Sequence, residues 1–161
     1  MRTRKFPSAG RLAAASLAMA LALPSVLRAE DFCGDIAYLI EQSRAGFAGI
    51  SSGVEKGGMT LLDASECAVS TSSIPKSYSC TWAFDFRAGA TYETYEEIRA
   101  RLDGCIGEAS TTRDDRGVNH PDFYAARHYL LKQTDISVSI KDKGELRKTF
   151  VFLRVRAADP G

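Results

Sequence analysis

Histidine is scarce in this chain: only His120 and His128 occur among 161 residues. Neither falls in an H-E-x-x-H run, and no G-x-S-x-G appears, so the usual zinc-protease and serine-hydrolase signatures are absent. The four cysteines, Cys33, Cys67, Cys80 and Cys105, include no C-x-x-C pair. That spacing excludes a thioredoxin-like redox motif and argues against a zinc site. The one glycine-rich stretch is GISSGVEKGG, Gly49 to Gly58. A phosphate-binding loop needs G-K-[ST], whereas Lys56 precedes a glycine and a helical pattern, not a strand, comes before. The stretch therefore reads as a loop. Nothing in the sequence asks for a cofactor or a metal.

Long apolar runs are also absent, save one. Leu12 to Leu23, LAAASLAMALAL, follows Arg2, Arg4, Lys5 and Arg11 and ends at Pro24. This is the layout of a secretory signal peptide. The run is shorter than the roughly 20 residues a membrane-spanning helix needs. Ala29 supplies a small residue for cleavage, but Leu27 two residues before it is large, so cleavage after Ala22 is the alternative. No cysteine adjoins either point, and no adjacent arginine pair marks twin-arginine export. The expected division is a signal peptide over residues 1–29 and a single secreted domain over residues 30–161. The expected location is periplasmic or extracellular, with no membrane contact after cleavage.

The leader hides the charge of the rest. The whole chain has 21 basic and 20 acidic residues. Five of the basic ones, Arg2, Arg4, Lys5, Arg11 and Arg28, lie in the leader, which has no acid. Residues 30–161 therefore carry 16 basic and 20 acidic residues, a net of −4. A mildly acidic domain gives no global attraction for nucleic acid. Its length suits one domain with its own core.

An even cysteine count in a small exported domain predicts a disulfide framework. In SYSCTWAFDF, Ser77 to Phe86, the residues Tyr78, Cys80, Trp82, Phe84 and Phe86 share one parity. This alternation predicts a half-buried strand. Thr60 to Ser70 reads as a weaker strand, and Thr71 to Lys76, TSSIPK, as the turn between them. Folding the two as a hairpin sets Cys67 opposite Cys80, Val69 opposite Tyr78, Ser65 opposite Trp82 and Leu61 opposite Phe86. Cys67–Cys80 is then a cross-strand disulfide that pins the register. Cys33 and Cys105 are left for each other.

Helical spacing supports that second pair. Phe32, Ile36, Leu39, Ile40, Ser43 and Phe47 predict a helix from about Asp31 to Phe47. Tyr95, Ile98, Leu102, Cys105 and Ile106 predict another from about Thr91 to Ile106. Thr91 is its expected cap and Gly107 its end. Antiparallel packing brings Cys33, near the start of the first, to Cys105, near the end of the second.

Glu108 to Asp122 reads as a polar loop, and Phe123 to Thr134 as a strand. Asp135 to Ile140 and Arg147 to Arg156 flank a turn at Asp142-Lys143-Gly144. The expected fold is α+β, in the order α-β-β-α-β-β-β. An antiparallel sheet of about five strands carries two helices on one face, stapled by two disulfides.

No catalytic constellation emerges. His120 reads as a solvated loop residue and His128 as a packed or hydrogen-bonded strand residue. The carboxylate pairs Asp114-Asp115 and Glu96-Glu97 fall in a loop and on an exposed helix face, which favours solvation over general acid chemistry. The last strand is more telling. Thr149, Val151, Leu153 and Val155 form one parity, and Lys148, Phe150, Phe152, Arg154 and Arg156 the other. With the β-branched parity in the core, Phe150, Phe152 and Arg154 stand outside, a composition found at protein-binding hot spots. The expected function is a non-enzymatic binding or inhibitory module with a protein partner. The alternatives are a hydrolase-like enzyme without a local motif, or a structural subunit of an envelope complex.

Overall fold

The computed structural model describes residues 25–50, 61–70, 72, 74–117 and 122–158, with side chains from Phe32 onward. The elements are α1 (Ser25–Arg44), β1 (Glu66–Ser70), β2 (Ser77–Asp85), α2 (Gly89–Ile106), β3 (Thr111–Asp115), β4 (Tyr124–Leu130), β5 (Thr134–Lys143) and β6 (Lys148–Ala157). The six strands form one sheet in the order β1-β2-β6-β5-β4-β3. Every neighbouring pair is antiparallel. Both helices pack on one face, across the central strands β6 and β5.

The core follows the spacing that made the helices legible. Phe32, Ile36 and Leu39 of α1 and Ile98, Leu102 and Ile106 of α2 are buried together. They meet Tyr78, Cys80 and Trp82 of β2, Ile136, Val138 and Ile140 of β5, and Val151, Leu153 and Val155 of β6. A helix that places residues three and four apart on one stripe, and a strand that places alternate residues on one face, bury a continuous apolar layer between them.

Both disulfides form as the spacing implied. Cys33 is bonded to Cys105 across 72 residues of chain, and Cys67 to Cys80 across 13. No free cysteine remains. The hairpin register matches at Cys67 opposite Cys80 and Val69 opposite Tyr78. It does not extend to Leu61 and Phe86. Leu62 and Asp63 both have left-handed backbones, with φ of 45° and 55°. They turn the chain off the sheet edge, so Leu61 enters the core and Phe86 stays exposed. The ladder ends at Glu66 opposite Thr81, so Ser65 does not pair with Trp82; its N–H donates instead to the Thr81 carbonyl at 2.8 Å.

The polar stretch after α2 is not all loop. Thr111–Asp115 pairs with β4 as an edge strand, which makes six strands where five were expected. All five of its side chains are exposed. Neither face is buried, so its sequence carries no alternation. Charged edge strands of this kind also resist pairing with other chains.

The helix ends moved as well. α1 begins at Ser25, earlier than Asp31, and ends at Arg44. Gly46 and Phe47 follow with φ of 60° and 59°. This left-handed pair reverses the chain and drops Phe47 into the core, 6.3 Å from the Tyr78 ring. α2 begins at Gly89, with Ala88 in the cap position and no side-chain cap. Thr91 is therefore not the cap. Its side chain is fully buried, and Oγ1 has no hydrogen-bond partner among the described residues. An orphan hydroxyl in a core carries a desolvation cost of about 1–3 kcal/mol. Thr91→Val, of similar shape, is expected to leave stability unchanged or raise it by about 1 kcal/mol. A urea melt checks this, and a loss beyond 1 kcal/mol would show that the hydroxyl has a partner.

Candidate functional site

Strand β6 divides as its alternation implied. Thr149, Val151, Leu153 and Val155 are buried beneath the helices. Lys148, Phe150, Phe152, Arg154 and Arg156 lie on the opposite, outer face. The two phenylalanines are half-buried there, less open than the sequence implied. Their rings stack on each other, with centroids 5.8 Å apart and planes 23° apart. Each ring so covers part of the other.

The strands beside them place mostly short side chains next to the pair. Phe150 lies between Ala83 of β2 and Lys141 of β5, and Phe152 between Thr81 and Ser139. Arg154 lies between Ser79 and Ser137 and is exposed. Ala83, Thr81 and Ser139 rise little above the sheet, so ring edges remain reachable on those sides, while the longer Lys141 stands beside Phe150.

His128 sits on the same face, in β4. Its Nδ1 is 3.4 Å from Asp135 Oδ1. Asp135 is buried and accepts two hydrogen bonds from Arg156, at 3.0 and 2.8 Å, through its other oxygen. Ser137 lies directly across from His128, but no hydrogen bond joins the two among the described residues. A serine nucleophile needs its base within hydrogen-bond reach. The cluster is an ion pair with a histidine at its rim. His120 lies outside the described residues.

Of the two carboxylate pairs, Glu96, Glu97 and Asp114 are held by cations. Glu96 pairs with Arg99 and Glu97 with Arg101, each at 2.8 Å, on the exposed side of α2. Asp114 accepts two hydrogen bonds from Arg127, at 2.8 and 3.0 Å, which hold its carboxyl below the usual range. Asp85 is held down in the same way by Lys148. A general acid needs a carboxyl pushed upward instead.

Two features escaped the sequence reading. The first is a cleft of about 550 Å³ between α1, α2 and β2, lined by Phe32, Trp82, Phe84, Ile98, Glu97 and Arg101 among others. Its Trp82 indole donates to the Leu62 carbonyl at 2.9 Å, which fixes the ring. The second is a latch at one end of the sheet. Asp142, expected in a turn, is instead the last buried residue of β5. Burial pushes its carboxyl upward. Hydrogen bonds from Arg87 and Thr149 outweigh that, so it stays below the ordinary range. Around the latch stand four exposed apolar side chains, Phe86, Tyr92, Phe123 and Leu146. Arg87 lies 4.8 Å over the Phe86 ring, and the Tyr92 and Phe123 rings are 6.2 Å apart. Asp142 carried no mark in the sequence, because its partner Arg87 is 55 residues away.

Among the described residues no group of His, Cys, Asp and Glu is placed to hold a metal. No described helix is long and apolar enough to cross a membrane. No family model, curated protein or solved structure matches the chain.

Proposed function

We propose that this chain is a small exported binding or inhibitory module that acts through the outer face of its sheet. The observation behind the reading is the Phe150–Phe152 pair: two stacked aromatic rings on a face that neither helix covers. A solvated sheet face normally carries polar side chains, and aromatic residues beside arginine are the composition of interface hot spots. Export rests on the basic, apolar leader and agrees with the two disulfides, which persist in oxidising compartments.

The test replaces both rings, as Phe150→Thr with Phe152→Ser. Half-buried stacked rings give up part of their apolar area and a pair term of about 0.5–1.5 kcal/mol. The double variant is expected to lose roughly 1–2 kcal/mol and to keep its fold, where two core phenylalanines would cost several kcal/mol each. Cross-linking in the producing cells, followed by recovery of the bound protein, is expected to give a partner with the wild type and none with the variant. An unchanged partner with the fold intact would overturn the reading.

A further inference from the structure

On β5 and β6 the outer face carries charge opposite in sign to the net −4 of residues 30–161. The outer positions of the two central strands carry Lys141, Lys143, Lys148, Arg154 and Arg156, and a single acid, Asp135. That acid is already paired with Arg156. From neighbouring β2, Asp85 pairs with Lys148 at 2.8 Å. Lys141, Lys143 and Arg154 belong to no ion pair among the described residues. Residues 30–161 are net −4, yet these two strands present five cations and one acid on one face. Register sharpens this: Lys143 lies directly across from Lys148, and Lys141 directly across from Phe150. Like charges opposite each other on a sheet are destabilising. Here they surround an apolar seat.

We infer that the partner contributes an acidic, extended protein segment with an aromatic or aliphatic side chain at its middle. This inference rests on the proposed binding role of the same face. The segment runs along β6, its apolar side chain on the Phe150–Phe152 edge and its carboxylates at Lys141 and Lys143 on one side and Arg154 on the other. From Lys148 to Arg156 the outer face extends about 26 Å, at about 3.3 Å per residue. Geometry favours a protein over a polynucleotide. The two rings stack on each other, so they do not lie open as platforms for successive bases. They are half-buried, so they do not protrude as membrane-inserting side chains do.

The experiment selects random dodecapeptides on the full-length chain, purified from an oxidising compartment. Enriched peptides are expected to hold several Asp or Glu around an aromatic or Leu residue. The affinity of a chosen peptide, read by fluorescence anisotropy, is expected to fall about tenfold or more in Lys141→Glu with Arg154→Glu. It should also weaken as salt rises. Both substitutions lie on the solvent face, and a thermal melt confirms that the fold is kept. Phosphatidylglycerol vesicles and oligodeoxythymidine serve as polyanion probes and are expected not to bind. Neutral or basic peptides that bind here would overturn the acidic assignment and leave the binding face standing. Peptides insensitive to both the charge reversal and the ring replacement, or no enrichment at all, would overturn both. Vesicle or oligonucleotide binding lost on charge reversal would overturn the choice of a protein partner.

Discussion

Replacing Cys33 and Cys105 together with serine is expected to lower stability by about 4 kcal/mol. The bond closes a loop spanning 72 residues, and in the chain-entropy account a loop of this length restricts the unfolded chain by about that amount. Both residues are half-buried, so serine adds little desolvation cost. The shorter Cys67–Cys80 loop, spanning 13 residues, is worth roughly 3 kcal/mol on the same scale. Of a total near 5–15 kcal/mol, the long loop is a large share. The physical reason is the way α1 is attached. It packs on the sheet and on α2 through an apolar stripe and is tied to α2 by this bond, so losing the bond frees the helix in the unfolded chain. Guanidinium unfolding reads both effects: a lower midpoint, and a steeper slope as the uncrosslinked chain expands. A loss below 1 kcal/mol would mean that packing alone holds α1.

How far the sequence leads depends on whether a residue's neighbours are near it in the chain. The hairpin was legible because Cys67 and Cys80 flank a short turn and Tyr78 to Phe84 alternates. The helices were legible because Ile36, Leu39, Ile98 and Leu102 recur at helical spacing and do reach the core. Strand β3 was not, because its exposed polar residues have no buried face to mark it. Phe150 and Phe152 were placed on the right face by parity alone. Their stacking, and with it their half-burial, needed three dimensions. The lysine cluster needed the register: Lys141 and Lys143 belong to β5 and meet Phe150 and Lys148 only once β5 and β6 pair. Charge composition averaged over residues 30–161 pointed the other way, to a net of −4. The local sign is the one a partner meets.

Asp142→Ala is the single substitution expected to cost most outside the apolar core, about 3 kcal/mol. The carboxylate is completely buried and ties together three separate parts of the chain. Arg87 Nε donates to Oδ2 at 2.7 Å, the Phe123 N–H donates to Oδ2 at 3.4 Å, and the Thr149 hydroxyl donates to Oδ1 at 2.8 Å. The Arg87 N–H in turn donates to Thr149 Oγ1 at 2.8 Å. Arg87 itself has a left-handed backbone, with φ of 56°, which the latch holds in place at the corner from β2 into α2. Removing the carboxylate leaves the buried Thr149 hydroxyl without its acceptor, at about 1–3 kcal/mol. The guanidinium is half exposed, so water takes it up and the loss falls short of the 3–5 kcal/mol typical of a broken, fully buried pair. The pH dependence carries its own sign. The folded carboxyl titrates below its ordinary value, so its contribution is complete above the unfolded pKa of about 3.9 and is lost as pH falls through the lower, folded value. The difference in stability between wild type and Asp142→Asn is therefore expected to be largest near neutral pH and to shrink under acid. Urea midpoints measured from pH 7 to pH 3 check it. A gap that stayed constant over that range would show that the charge on Asp142 contributes nothing, and that only its hydrogen bonds hold the corner.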